Sequence, residues 1–255
     1  MISKNKIKLI RSLEQKKFRK EWQLFVAEGH KLVDDLLPAF DCAFLAARKE
    51  WLDTRREAVE TLARKGCEIQ EVSAEELQKA SLQKNPQDVL ALFRQRPAGG
   101  APEHLLKEQL CLGLDGVQDP GNVGTMLRTA EAAGFSGALL SPACADAFAP
   151  KTVRATMGSV YRVPVWRGAL AEALCALKER GFTVVSSELG GDDFFAALPE
   201  LSAPLALVIG SEGNGVTAPV RELATRRLML PMGGKVESMN AAVAAAILMY
   251  SIGHR

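Results

Sequence analysis

The chain has 255 residues and a mass of 27.5 kDa, enough for one large domain or two small ones with real cores. Apolar residues make up 47% and charged residues 24%, which excludes disorder, a collagen repeat or a disulfide scaffold as its main character. The net charge is +2; no apolar run reaches about 18 residues, so no membrane span is expected, and the basic start lacks a signal-peptide core, so a cytoplasmic location is expected.

Residues 3–20 read as one helix, with Ser3 as cap and Ile7, Ile10 and Leu13 on one face. Residues 4–20 hold eight Lys and Arg against Glu14 alone, a local charge of +7. Residues 1–107 carry +4 and residues 108–255 carry −2. A basic first segment on a near-neutral body fits an anionic partner, nucleic acid before membrane, and equally fits a solvated helix. LFVAEG (24–29) reads as a strand, HKLVDDLLPAF as a helix and CAFLAA (42–47) as a second strand. Residues 49–65 have helical spacing closed by Gly66, and 67–73 alternate as a strand. Ser73 and Glu76 have capping-box spacing for a helix over 73–81, and DVLALF (88–93) is a further strand. The alternation predicts an α/β unit with at least partly parallel strands.

QRPAGGAPEH (95–104) has two Pro, two Gly and no periodicity, so the domain boundary is placed there: residues 1–95, a linker over 96–107, and 108–255. The second part alternates again. Strands are expected at 110–117, 137–141, 182–188, 204–210 and 226–232, and helices at 122–133, 168–180 and 239–252. PLALVIG (204–210) is continuously apolar, as in a central parallel strand.

Five cysteines are scattered without a CxxC pair, and His30, His104 and His254 do not cluster near them. Neither zinc spacing nor a disulfide framework is present; buried reduced thiols are expected. Three turns at strand ends stand out: DGVQDPGNVGTMLRTAEAAG (115–134), IGSEGNGV (209–216) and LPMGGKVESMN (230–240). Ligands of open parallel sheets bind beyond the carboxyl ends of strands, and glycine lets backbone approach them closely. The first turn offers only Gly121-Asn-Val-Gly124 rather than GxGxxG, and the second lacks the Lys of a phosphate loop. A dinucleotide enzyme is therefore disfavoured.

In order and spacing, DPGNVGTMLRTAEAAGF, LVIGSEGNGV and LPMGGKVESMNAAVAAAI resemble the three motifs of the SpoU (TrmH-like) RNA ribose 2′-O-methyltransferases of the SPOUT superfamily. PKTVRATMGSVYRVPV (150–165) is similar to the family's connecting segment. The first part is more loosely similar to the family's substrate-binding domain, through FRKEWQLFVAEGHKLV and NPQDVLALF. The resemblance implies an α/β catalytic domain with a C-terminal trefoil knot, behind a small α/β RNA-binding domain like those of some ribosomal proteins. It implies S-adenosylmethionine as cofactor, no metal, a homodimer, and RNA as partner, rRNA ahead of tRNA. The alternative is a catalytically silent knotted RNA-binding protein.

The resemblance also implies the site. Gly210, Leu230 and Met239 correspond to the cofactor-holding positions, with Ile209 and Met232 beside them. Arg128 matches the arginine that some family mechanisms make the general base. Arginine keeps its proton in proteins, so a different role is expected for it: binding the adjacent phosphate and stabilising the developing alkoxide. Asn122 is expected at the start of the Arg128 helix, as cap, ligand contact or both. Glu212 is expected to orient Arg128 or to bond the first-motif loop. Ser238 and Asn240 open the last helix beside ribose and cofactor, Ser238 being also a possible N-cap. The third motif departs from the common Ser-Leu-Asn-Val-Ser: Met239 keeps an apolar contact and Ala242 loses a hydroxyl. Lys16, Lys17, Arg19 and Lys20 are the expected RNA contacts, and Phe18 and Trp22 among them either stack on a base or pack into the core. The Ala-rich final helix fits a cofactor floor, a dimer face or an ordinary buried helix.

Overall fold

The computed structural model describes residues 2–95 and 109–254. The expected linker at 96–107 lies outside them. The described residues form two compact units. The first joins residues 2–95 with Phe148–Tyr161; the second comprises 109–147 and 162–254. Phe148–Tyr161 falls inside the second part of the sequence division at 95–108, yet it packs with the first unit.

The first unit is built on a four-stranded sheet of order β1-β4-β2-β3, with β1 Leu24–Glu28, β2 Cys42–Ala47, β3 Glu68–Glu71 and β4 Val89–Arg94. β4 runs antiparallel to β1 and β2, and β2 pairs parallel with β3. Strand alternation sends Phe25, Ala27, Leu45, Ala91 and Phe93 into one core, with Leu32, Trp51 and Leu62 from the helices there. Val26, Phe44, Leu90 and Leu92 face the other way, onto Ile10, Leu13, Leu77 and Ala80. Phe148 completes the first core, 4.9 Å from the Phe25 ring and 6.2 Å from Phe40, and Val153 and Val160 join it. Two expected caps form: Ser3 accepts from Lys6 N, and Ser73 and Glu76 close their capping box.

The single helix expected over 3–20 is two, α1 (Lys4–Ser12) and α2 (Lys16–Trp22). The reason is Arg19. Its Nη1 donates to the carbonyls of Leu13 and Glu14, both at 2.8 Å, satisfying acceptors released where α1 ends. Arg19 is only 3% exposed, so the expected RNA contact at this position is corrected to a structural one. The helix expected over 49–65 also breaks, into α4 (Lys49–Asp53) and α5 (Arg56–Arg64), after α3 (His30–Leu36). Between them Thr54 Oγ1 donates to Trp51 O, and Arg55 Nε donates to Asp34 Oδ1 of α3 at 2.7 Å. α6 (Ala74–Ala80) precedes β4.

The second unit holds six parallel strands in the order β10-β8-β9-β5-β6-β7. They are β5 Leu110–Asp115, β6 Gly137–Leu140, β7 Val165–Arg167, β8 Thr183–Asp193, β9 Leu205–Gly210 and β10 Arg226–Met229. Leu112, Leu114, Leu140, Leu207 and Ile209 pack onto α7 (Pro120–Ala132) and α13 (Ala241–Gly253). Cys111, Leu139, Ala206 and Val208 face α10 (Leu170–Glu179) and α12 (Ala218–Leu223). Both faces are covered, which is why β9 is apolar throughout. β7, α12 and the short α11 (Phe194–Ala197) stand where the sequence predicts no element, as do α8 (Pro150–Thr156) and α9 (Ser159–Arg162), which begin within the segment that packs with the first unit. No described helix is long and apolar enough to cross a membrane. Cys67, Cys111 and Cys144 are buried free thiols, Cys42 is partly buried, and Cys175 is exposed.

β8 departs most from expectation. It runs to Asp193 rather than 188, and its pairing with β10 jumps: Ser186 opposes Arg227, and Asp192 opposes Leu228. Ser187 to Gly191 therefore bulge out of that ladder. Two glycines make the bulge possible. Gly190 has φ +79°, and a Cβ on Gly191 would lie 2.6 Å from Arg227 O.

Candidate functional site

The three glycine-bearing turns follow β5, β9 and β10 and converge at the carboxyl ends of these strands. The register pairs Asp115 with Gly210 at the last position of β5 and β9. Asp115 is buried, and its Oδ2 accepts from Thr217 N at 2.7 Å, tying the end of β5 to the start of α12. After β9 the chain closes on itself: Ser211 N donates to Gly215 O and Gly215 N to Ser211 O. A Cβ on Gly210 would lie 2.1 Å from the carbonyl carbon of Gly215, so only glycine lets this loop fold back.

Asp119, not Asn122, caps α7, its Oδ1 accepting from Asn122 N at 2.9 Å. The Asn122 side chain is thereby left for other work. Its Nδ2 donates to Glu212 Oε1 at 3.0 Å. Asn240 Nδ2 donates to the same oxygen at 3.2 Å and to Asn122 Oδ1 at 3.2 Å, and Ala241 N reaches Glu212 at 3.4 Å. Asn240 is also the N-cap of α13, its Oδ1 accepting from Ala242 N and Val243 N. One residue from each of three distant turns thus meets in a single hydrogen-bonded cluster. Ser238 is not the cap; it lines the adjacent cavity. Glu212 does not bond Arg128; its first-motif partner is Asn122, which lies in the first turn of α7 rather than in the loop before it. Arg128 lies exposed on α7, and no hydrogen bond or ion pair holds it among the described residues.

Beside the cluster is a cavity of about 320 Å³. Its lining includes Ile209, Gly210, Leu230, Met232 and Met239, all five expected cofactor-holding residues, together with Glu212 and Ser238. The volume lies within the range of small-molecule sites. Apolar side chains and close glycine backbone fit a ligand with a flat heterocycle and polar edges, so these residues fit an adenosyl cofactor. A second cavity of about 230 Å³ is lined by Gly116, Val117, Gln118, Asp119, Asn122 and the turn from Ser211 to Asn214. Glu212 and its neighbours Ser211, Gly213 and Asn214 face both. Sequence reasoning missed Ser187, Glu188, Leu189, Arg221 and Met229 in the larger cavity. The Gly190-Gly191 pair behind Glu188 and Leu189 was the available signal.

In the first unit, Lys16, Lys17 and Lys20 are exposed on α2, and Trp22 at its end is 51% exposed. Lys17 Nζ lies 5.7 Å from the centroid of the half-buried Phe18 ring. Of the two aromatic readings, Trp22 faces solvent rather than the core.

Residues 109–250 match the SpoU rRNA Methylase family, and residues 4–91 match an MRM3-like substrate binding domain. The chain is 34% identical, over 97% of its length and 95% of the relative's, to the 23S rRNA (guanosine(2553)-2′-O)-methyltransferase RlmP of Bacillus subtilis. Among solved structures it is similar to the AdoMet-bound rRNA methyltransferase of Sinorhizobium meliloti, with TM-score 0.85, 31% identity and coverage of 99% and 95% of the two chains. The AdoMet complex of AviRb from Streptomyces viridochromogenes shares the fold at TM-score 0.84 and 22% identity, covering 98% and 97%.

Proposed function

The chain belongs to the SpoU rRNA Methylase family, and on that premise we propose that it methylates a ribose 2′-hydroxyl of RNA, ribosomal RNA ahead of tRNA, with S-adenosylmethionine as donor. The carrying observation is the meeting of Asn122, Glu212 and Asn240 at the edge of the cavity walled by Ile209, Gly210, Leu230, Met232 and Met239. When bound, the cofactor supplies an electrophilic methyl; the protein supplies position and charge.

In this reading the larger cavity holds the cofactor and the smaller receives the target ribose, with Glu212 between them. Asn240 is spent on locking the cluster to α13, and Asn122 is fixed by Glu212 with one amide hydrogen left, which is presented to the ribose without reorganisation. Arg128 keeps its proton and meets the phosphate beside the target nucleotide, where its charge steadies the developing alkoxide. Ser238, in the lining of the larger cavity, hydrogen-bonds the cofactor side of the site. The knotted form of the family's catalytic fold, a homodimer joined through α13 and a cytoplasmic location belong to the same reading. What supports the dimer is the apolar outer face of α13, where Tyr250 is 54% exposed. The RNA is captured through the first unit, whose match is to a substrate-binding domain.

The test is incubation with labelled S-adenosylmethionine and total RNA, followed by digestion to nucleosides. Label in a 2′-O-methylnucleoside of rRNA is the expected result. Label in a methylated base overturns ribose chemistry. RNA binding without label is the result for a silent RNA-binding protein.

A further inference from the structure

The larger cavity contains a carboxylate that the chemistry above leaves unused. The bulge from Ser187 to Gly191 lifts Glu188 out of the β8–β10 ladder and into the cavity lining. There it is held on both oxygens. Ser186 Oγ donates to Oε1 at 2.6 Å, and Arg221 Nε of α12 donates to Oε2 at 2.6 Å. The Glu188 side chain is 9% exposed and that of Arg221 is 45% exposed. A nearly buried carboxylate is costly unless paired, and this one is paired and anchored by elements on two sides.

Resting on the cofactor assignment above, we propose that Glu188, anchored by Ser186 and Arg221, accepts hydrogen bonds from the ribose diol of the bound adenosyl cofactor. Each oxygen has one bond committed and acceptor capacity left. Two adjacent acceptors match two vicinal hydroxyls. The ion pair to Arg221 already balances the Glu188 charge, which favours a neutral donor over the cofactor's ammonium group. The neighbours agree. Leu189, on the same bulge and largely exposed, and Leu230 and Met232 across the cavity give apolar surface for the base attached to that ribose. The other carboxylate of the cavity, Glu212, has Oε1 filled by Asn122, Asn240 and Ala241, so it offers one open oxygen and not the adjacent pair a diol needs.

The experiment is calorimetric binding of S-adenosylhomocysteine and 5′-methylthioadenosine to the full chain and to Glu188→Gln. The second probe keeps the diol and lacks the amino-acid end. The variant is expected to lose about 10- to 100-fold in affinity for both by a similar factor, as for hydrogen bonds to a charged acceptor. The 2′,3′-dideoxy form of 5′-methylthioadenosine is expected to bind both proteins alike. Unchanged affinity for the first two probes overturns the proposal. Loss for S-adenosylhomocysteine alone also overturns it, because the ammonium is then the partner. If the unaltered chain binds none of these probes, it is the cofactor reading that fails. Glu188→Asp keeps the ion-pair charge but withdraws the oxygens by one methylene, and serves where Glu188→Gln does not fold. Its loss should again be equal for the two diol-bearing probes and absent for the dideoxy form. In turnover, either variant is expected to raise the KM for S-adenosylmethionine more than it lowers kcat.

Discussion

Glu212 carries a disproportionate share of the site because one of its oxygens gathers three donors from the two other turns. Removing that oxygen leaves the amides of Asn122 and Asn240 without their common acceptor. The expected outcome of Glu212→Ala is a fall of about 100-fold in kcat, the scale of losing one fixed polar group at a reacting centre. The thermal midpoint should move little, because Glu212 is exposed. Single-turnover kinetics and a melting curve check the two halves separately. A different carboxylate sets a pH response. Burial pushes the Glu28 carboxyl above its ordinary value of 4.5, against the opposing hydrogen bonds of Ser81 and Leu82 N–H and the charge of Arg154. A raised carboxyl favours the protonated folded state. Its contribution is therefore full below 4.5 and is lost as pH rises through the raised value. Glu28→Gln cannot titrate. Wild-type stability minus variant stability should decline over that window, as read by melting midpoints against pH; parallel curves refute it.

At the scale of elements, what the sequence disclosed follows from how each element is stabilised. β9 is read correctly from LALVIG because both faces of its sheet are covered. The capping box at Ser73 and Glu76 is local and needs no tertiary partner. The break between α1 and α2 depends on Arg19 reaching back to two carbonyls, which no periodicity reveals. The β8 bulge depends on register with β10, so Glu188 and Arg221 stand far apart in sequence with nothing local to join them. The resemblance located the residues of the three motifs, while the Asp119 cap and the Asn122–Glu212–Asn240 cluster needed coordinates. α13 makes the prediction that belongs at this scale. It is apolar on every side, and a helix of that kind is ordinarily covered all round. Val243 and Tyr250 are nevertheless exposed, two turns apart on one face. In the homodimer proposed above, the double substitution Val243→Glu and Tyr250→Glu is expected to raise the dissociation constant at least about 100-fold in sedimentation experiments. A variant that stays dimeric at low micromolar concentration rejects α13 as the interface.

For the whole molecule, charge is divided unevenly along the chain. The first 107 residues carry +4 and the remainder −2. Part of the +7 segment is structural: Arg19 is buried, and Lys6 is spent on Glu68 and the Phe44 ring. The exposed cations of α2 are Lys16, Lys17 and Lys20, with Trp22 beside them. Phosphate contacts release counterions, so each contributes about 0.7 to 0.9 to the slope of log affinity against log salt. Reversing Lys16, Lys17 and Lys20 to Glu should therefore flatten that slope by about 2 to 3 and weaken RNA binding at low salt by at least about tenfold. Trp22→Ala acts differently. Losing a stacking platform should lower RNA affinity by about 1–3 kcal/mol with the slope unchanged, because no charge is removed. Neither change touches a residue of the larger cavity, proposed above to hold the cofactor, so affinity for S-adenosylmethionine should stay the same in both. An unaltered salt titration in the triple variant would assign the basic face to solubility and move RNA capture elsewhere on the chain. A lowered slope with intact cofactor binding would separate capture from chemistry along the charge asymmetry already visible in the sequence.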